Sequence, residues 1–132
     1  MTIEHLNPES MHSNPAYTQV VSVKRATRLL FVGGQDGILP DGTLAGPDLR
    51  SQTKQALHNV LEALKAAGAS QEHVVKLNVY IAQGQDVRDG YAAAQEVWGL
   101  HATALTVLIV ADVGIPGALV EIDAIAALDD EA

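Results

Sequence analysis

The sequence predicts an α+β domain of order ββαβαββ, in which two helices cover one face of a mostly antiparallel sheet. Segments rich in β-branched and aromatic residues predict the strands, and two segments with an apolar residue every three to four positions predict the helices. Stretches rich in glycine, proline and aspartate separate them. The length of 132 residues fits a single domain covering residues 1–132.

The first two strands are predicted at residues 17–24 and 28–32. The first contains Tyr17 and several β-branched residues, and the second reads RLLFV. Residues 1–15 are mostly polar and show no periodicity, so we expect a loop or a loosely held arm before these strands. Residues 36–47, DGILPDGTLAGP, have the composition of turns.

Two helices are predicted from their apolar stripes and their end signals. The stripe of the first consists of Leu49, Thr53, Leu57, Val60, Leu61 and Leu64. Gly68 lies where a glycine commonly ends a helix. Asp86 is expected to cap the second helix, and Gly99 is expected to end it.

Three more strands are predicted in the second half of the chain. Residues 74–82 alternate between apolar and more polar positions, which is typical of a half-buried strand. Residues 104–113 and 119–127 are apolar runs joined by a turn, GIPG. Residues 128–132, LDDEA, are expected to form an acidic tail.

The composition excludes several classes of function. The chain carries 16 Asp and Glu residues against 8 Lys and Arg residues, a formal net charge of −8, so we expect no nucleic-acid partner. It has no cysteine, which excludes disulfides and thiolate sites. The five histidines show no HxxxH or HxH spacing, so we expect neither a metal ion nor another cofactor.

Nothing in the sequence predicts export or a membrane. The segment MTIEHLNPES lacks the basic and apolar regions of a secretory signal. No apolar run approaches the roughly 18–20 residues that a membrane helix needs. We therefore expect a cytoplasmic protein without a membrane partner.

Two carboxylates interrupt the last predicted strand. Glu121 and Asp123 are two residues apart, so they share one face of it. They would keep an edge of the sheet soluble if that face met solvent. Alternatively, one of them is partly buried in a cleft, where desolvation raises its pKa and suits it to general acid–base catalysis.

Gly33 and Gly34 end the second strand, where the backbone can approach another group closely. A phosphate-binding loop is disfavoured there, because the GxxxxGK[ST] pattern and a nearby lysine are both absent.

Seven short segments share their order and spacing with a known family. They are PAYTQ at 15–19, LFVGGQ at 30–35, DGT at 41–43, QTKQALHNV at 52–60, AGA at 67–69, VVK at 74–76 and LVEIDAIA at 119–126. In these segments the chain resembles the RidA (YjgF/YER057c/UK114) family of reactive-intermediate deaminases. The resemblance implies a chorismate-mutase-like fold and a homotrimer that binds a small-molecule ligand at each subunit interface.

The resemblance also implies a site. Archetypal members of the family hydrolyse 2-imino and 2-amino-enoic acids to 2-oxo acids and ammonia. Glu121 matches the glutamate that activates water, and Tyr17 matches a tyrosine that lines the cleft. Gly33 stands at the position of a serine and Gln95 at that of an asparagine. Leu105, within one register step, stands where an arginine holds the substrate carboxylate.

The missing arginine changes the expected substrate. No Arg or Lys follows Arg88, and a carboxylate between Leu105 and Glu121 would be desolvated and repelled. We therefore expect weak or no activity on 2-imino acids and a more neutral or apolar ligand, unless Arg28 or Lys76 supplies a positive charge. Three alternatives follow: hydrolysis of a C=N bond by water activated at Glu121, metabolite binding without turnover, or a vestigial cleft.

A trimer is also expected on physical grounds. Residues 28–32 and 104–110 are apolar on both faces, whereas two helices can cover only one face of the sheet. The other face needs a partner, because a large exposed apolar patch is unfavourable for a soluble monomer.

Overall fold

The computed structural model describes residues 1–130, and within them it has six strands and two α-helices. The strands are β1 (Thr2–Leu6), β2 (Val20–Lys24), β3 (Arg28–Asp36), β4 (Val74–Ala82), β5 (Ala104–Val110) and β6 (Val120–Leu128). The helices are α1 (Leu49–Ala66) and α2 (Val87–Trp98), and a short 3₁₀ helix, Gln71–His73, precedes β4. The predicted α+β class is confirmed.

Four of the strands form one sheet in the order β3-β6-β4-β5. β6 pairs antiparallel with both β3 and β4, whereas β4 and β5 are parallel and joined through α2. β1 and β2 form a separate antiparallel pair. The sheet is therefore mostly antiparallel, as predicted.

The predicted loop over residues 1–15 is wrong at its beginning. Thr2–Leu6 is a strand that pairs with Val20–Lys24, so the order of elements is βββαβαββ. A strand of five residues with few apolar side chains has too weak a pattern to be recognised alone. Its pairing with β2 fixes it.

The predicted acidic tail, residues 128–132, begins inside β6. Beyond the strand, the Asp129 carboxylate accepts a hydrogen bond from the Met1 ammonium group at 3.2 Å. The Asp130 carboxylate pairs with the Arg28 guanidinium at 3.1 Å. The last two residues of the chain lie outside the described residues.

The ends of both helices follow the predicted signals. Asp86 caps α2 by accepting a hydrogen bond from the Arg88 backbone N–H at 2.9 Å, and Gly99 ends it with φ +69°. Gly68 follows α1 with φ +78°, a conformation that favours glycine. Within residues 1–130, neither helix is long and apolar enough to cross a membrane.

The alternation of β6 separates the two faces of the sheet. Val120, Ile122, Ala124 and Ala126 are buried in the core against the helices. The residues between them point to the opposite side, which we call the outer face. Glu121 and Asp123 lie on this outer face, away from the helices.

Gln52 of α1 is fully buried and joins the helix to the segments around it. Its Nε2 donates to the carbonyl oxygens of Gly46 at 2.8 Å and Gly117 at 3.0 Å. Its Oε1 accepts from the Leu119 N–H at 2.8 Å. A Cβ on Gly37 would lie 2.5 Å from the Gln52 Cα, so the backbone after β3 packs directly against the helix. Gln52 therefore fixes the end of β3 and the start of β6 relative to α1.

Candidate functional site

The end of β3 brings a second carboxyl group against Glu121. Asp36 lies opposite Glu121 in the β3–β6 pairing, after a register shift between Val32 and Gln35. Asp36 is only 6% exposed. Within residues 1–130, no N–H or O–H group donates a hydrogen bond to either of its carboxyl oxygens. Its carboxyl group faces the Glu121 carboxyl, which is close enough to raise its pKa.

Two carboxyl groups can form a hydrogen bond with each other only when one of them carries a proton. Burial, followed by the interaction with the neighbouring Glu121 carboxyl and its charge, raises the pKa of Asp36 from 3.8 to about 6. Asp36 therefore keeps its proton at pH values where an exposed aspartate has lost it. We call Asp36 and Glu121 the carboxyl pair.

Gly34 makes room for the carboxyl pair. A Cβ on Gly34 would lie 2.5 Å from Oε2 of Glu121, so the Glu121 carboxyl rests on the glycine backbone. Gly33 is exposed, and a Cβ there would have no heavy atom within 4 Å. The close approach predicted for this glycine pair is therefore confirmed at Gly34.

Asn59 of α1 holds the backbone beside Asp36. Its Nδ2 donates to the carbonyl oxygens of Asp36 at 3.2 Å and Ile38 at 2.9 Å. Its Oδ1 accepts from Nε2 of Gln55 at 3.0 Å, which orients the amide. The position of the carboxyl pair is thus set by hydrogen bonds from the helix as well as by strand pairing.

The carboxyl pair lines a cleft of about 420 Å³, which we call the carboxyl cleft. Its lining residues include Gly34, Asp36, Ile38, Asn59, Ile115 and Glu121. The described residues that line it include no lysine, arginine or histidine. Within residues 1–130, no group of three or more His, Asp or Glu side chains is arranged to hold a metal ion.

Asp123 has partners of its own on the outer face. Its Oδ1 accepts from Nδ2 of Asn78 at 2.7 Å. Tyr80 lies opposite Glu121 on β4, and the pKa of its phenol is raised, chiefly by the charge of Asp123. The hydrogen bond to Asp123 and the charge of Glu121 act in the same direction. The two acids of β6 thus have different surroundings, and Glu121 is the one in the carboxyl cleft.

Of the five predicted site residues, all within the described part of the chain, only Glu121 lines the carboxyl cleft. The Tyr17 hydroxyl is hydrogen-bonded to Nε2 of His12 at 2.8 Å. Gln95 lies on α2, where its Nε2 donates to the Tyr91 hydroxyl at 3.2 Å. The roles predicted for Tyr17, Gly33 and Gln95 stay predictions.

Within one chain Leu105 does not face Glu121, and its predicted role in the ligand site stays a prediction. Leu105 pairs with Leu77, and both side chains pack on the helix side of the sheet. They line a second cavity of about 440 Å³ between α2 and the sheet, which we call the helix-side cavity. The neighbouring residue, Thr106, accepts a hydrogen bond from Nζ of Lys76 at 2.7 Å on the outer face. A shift of one residue along a strand exchanges its two faces, which is why the register decides this placement.

Arg28 and Lys76, the two side chains that the sequence left as possible positive charges for the cleft, have other partners. The Arg28 guanidinium donates to the carbonyl oxygen of Ala67 at 2.7 Å and pairs with Asp130. Lys76 is bound to Thr106, and neither cation lines the carboxyl cleft. Within one chain, the Glu121 site therefore has a second acid and no facing positive charge among its described lining residues.

Asp36 was missed as a site residue because residues 36–47 have the composition of a turn. β3 extends to Asp36, four residues beyond the predicted end of the strand. The sequence does indicate the polar outer face of β4, since Lys76, Asn78 and Tyr80 alternate with apolar residues. No sequence pattern indicates that Asp36 is buried, because its burial depends on contacts that are distant in sequence.

The comparisons with known proteins identify the family. The profile of the family described as Endoribonuclease L-PSP matches residues 8–128. The chain belongs to this family, also known as the YjgF/RidA family. The predicted resemblance is confirmed over nearly its whole length.

Two relatives and one solved structure show the similarity within the YjgF/RidA family. Protein HMF1 of Saccharomyces cerevisiae is 27% identical over 126 residues, 95% of this chain and 97% of the yeast protein. A 2-iminobutanoate/2-iminopropanoate deaminase of Rattus norvegicus is 42% identical over 72 residues, 54% of this chain and 50% of the rat protein. The Rid protein YyfB of Yersinia pestis, whose function is unknown, matches with a TM-score of 0.85 at 29% identity, covering 97% of this chain and 100% of that chain.

Gly34→Ala should separate the carboxyl pair without unfolding the protein. The added methyl group would displace the Glu121 carboxyl, which is the end of a flexible side chain. The pKa of Asp36 should then fall below about 6, because the contribution of Glu121 is lost. An NMR titration of the Asp36 carboxyl carbon measures this. Gly33→Ala is the matched control, and equal Asp36 pKa values in the two variants would contradict the arrangement.

The raised pKa of Asp36 predicts a pH dependence of folding stability. Between about pH 4 and about pH 6 the folded state binds more protons at Asp36 than the unfolded state does. Its contribution to the free energy of unfolding therefore decreases as pH rises through this range and is constant above it. Asp36→Asn should lack this component, so the wild type should lose about 1–2 kcal/mol relative to the variant between these pH values. Urea denaturation across the range tests this, and parallel curves would argue against it.

Proposed function

We propose that the protein is a hydrolase of the enamine/imine deaminase type, acting on the C=N bond of a neutral or apolar small molecule. The observation that carries this proposal is the carboxyl pair of Asp36 and Glu121 in the carboxyl cleft. A carboxyl group with a pKa of about 6 beside a second carboxyl group provides an acid and a base at nearly neutral pH. This arrangement suits a reaction in which one proton is given and another is taken.

In the proposed reaction, water attacks the carbon of the C=N bond while Glu121 takes a proton from the water. The π electrons move to the nitrogen, which takes the proton of Asp36, and a carbinolamine forms. The Glu121 proton then passes to the nitrogen, the hydroxyl proton returns to Asp36, and the C–N bond breaks. The products are a carbonyl compound and ammonia or an amine, and both carboxyl groups regain their starting state.

The charge of the cleft supports a substrate without a carboxylate. Two acids face the bound molecule, and the described lining residues include no positive side chain to pair with an anion. The family description names an endoribonuclease, but RNA phosphates would meet this cleft and a formal net charge of −8. We therefore propose neither RNA nor the 2-imino acids as substrates. We also propose that the protein is located in the cytoplasm.

We also propose that the protein is a homotrimer with the ligand at its subunit interfaces. On the outer face, Leu29 and Phe31 of β3 are 54% and 73% exposed, and Leu108 of β5 is 49% exposed. Apolar side chains of this size on one face favour a covering partner. The predicted roles of Tyr17 and Gln95 require such a neighbour, because neither lines the cleft of its own chain.

The proposed activity predicts that both members of the carboxyl pair are needed. N-benzylidenemethylamine is a probe without a carboxylate, and its hydrolysis is followed by the release of benzaldehyde and methylamine. Glu121→Gln and Asp36→Asn should each lower the rate above the spontaneous reaction at least about 100-fold. Asp123→Asn is the matched control and should keep most of the activity.

Wild-type release no faster than that of Glu121→Gln would refute catalysis. If the probe also raised the melting temperature of the wild type and was recovered unchanged, the cleft would be a binding site without turnover. Faster hydrolysis of 2-iminopropanoate than of the neutral imine would refute the proposed substrate class.

The proposed trimer predicts that a charge on the outer face dissociates the subunits. Phe31→Glu should convert the trimer to a monomer, because an ionised side chain is costly to bury at an apolar interface. Sedimentation velocity measures the change. Leu100→Glu is the control, because Leu100 is 84% exposed but lies in the loop after α2, and it should leave the trimer intact. A monomeric wild type would contradict the assembly.

A further inference from the structure

The helix-side cavity lies on the opposite side of the sheet from the carboxyl cleft. It has a volume of about 440 Å³, within the range of small-molecule sites. Its walls are mostly apolar side chains, among them Leu77, Val79, Ala94, Trp98, Leu105 and Val107. The helix α2 contributes Ala94 to this wall, and its small side chain leaves space that a larger residue would fill.

Two buried polar atoms belong to residues that line this cavity. Oγ1 of Thr53 and Nε2 of His101 have no hydrogen-bond partner within residues 1–130. Thr53 is only 4% exposed, so water does not readily compensate its hydroxyl. A buried polar group without a partner is unfavourable, and a bound molecule with a hydrogen-bonding group would remove part of this cost.

The surroundings of His101 define what its Nε2 can do. Burial lowers the pKa of the imidazole, although a hydrogen bond to the Val74 backbone opposes the shift. A neutral imidazole that donates to a carbonyl through its other nitrogen leaves Nε2 as an acceptor. Both atoms have almost no accessible surface, so a ligand hydroxyl bonds to Nε2 of His101 or to Oγ1 of Thr53 only when a side chain of the cavity wall shifts.

We propose that the helix-side cavity is a second ligand site, which binds a neutral and mostly apolar small molecule carrying a hydroxyl group. The apolar body packs against the leucine and valine side chains, and the hydroxyl pairs with Thr53 or His101. A charged molecule is disfavoured, because the wall is mostly apolar and the guanidinium of Arg88, which also lines the cavity, is already paired with Asp86 at 2.9 Å. The site does not depend on the carboxyl pair, which lies on the other face.

The experiment uses Trp98, which is the only tryptophan in the chain and lines the cavity. The full chain is titrated with 2-cyclohexylethanol, and with ethylcyclohexane as the analogue without a hydroxyl, while Trp98 fluorescence is recorded. We expect a saturable change with both probes. Thr53→Val or His101→Phe should weaken binding of the alcohol about five-fold and leave binding of the hydrocarbon unweakened. Because each probe is compared between the wild type and the variants, the difference in hydrophobicity between the two probes does not affect the result.

Two further variants locate the binding. Ala94→Leu should abolish the response to both probes by filling the cavity, and Leu105→Phe fills it from β5 if the first variant does not fold. Glu121→Gln should leave both titrations unchanged, which separates this site from the proposed catalysis. The proposal is overturned if neither probe saturates, or if both cavity-filling variants that fold still bind. It is also overturned if neither Thr53→Val nor His101→Phe affects the alcohol selectively.

Discussion

The three hydrogen bonds of the buried Gln52 amide fix the geometry on which the rest of the structure depends. They connect α1 to Gly46 in the loop before it and to Gly117 and Leu119 before β6. All three partners are backbone groups, so the amide also satisfies donors and acceptors that folding would otherwise bury without partners. One side chain thus determines where β6 begins in the sheet. It thereby also determines that Glu121 lies opposite Asp36.

The pleat of β6 then distributes two kinds of chemistry over one strand. Val120 and Ile122 close the core beneath the helices, whereas Glu121 between them faces Asp36. Because the period of a strand is two residues, a slip of one residue would bury the acid and expose the core. The tightly packed helix side therefore enforces the position of a group on the opposite side, and the glycine at position 34 leaves the room that this position requires.

The features that the sequence predicted are those encoded locally. Asp86 and Gly99 bound a helix through contacts with their immediate neighbours, so their chemistry suffices to predict them. β1 and the burial of Asp36 depend on partners far along the chain, and the composition of their own segments pointed to loops. A change of one residue in the register of β5 would move Leu105 to the other face of the sheet. Because the strand is apolar at nearly every position, its sequence does not show which register is correct.

β5 forms an edge of the sheet, and its sequence, ALTVLIV, carries no charge and no proline. Natural edge strands commonly carry such residues to prevent pairing with other chains. In the described part of the chain, an isolated bridge between Thr18 and Ala104 covers the start of this edge. The rest of the strand offers unpaired backbone groups beside apolar side chains. At high concentration, newly synthesised chains can therefore aggregate by pairing their β5 edges. The yield of folded protein then depends on how quickly another part of the protein covers the β5 edge.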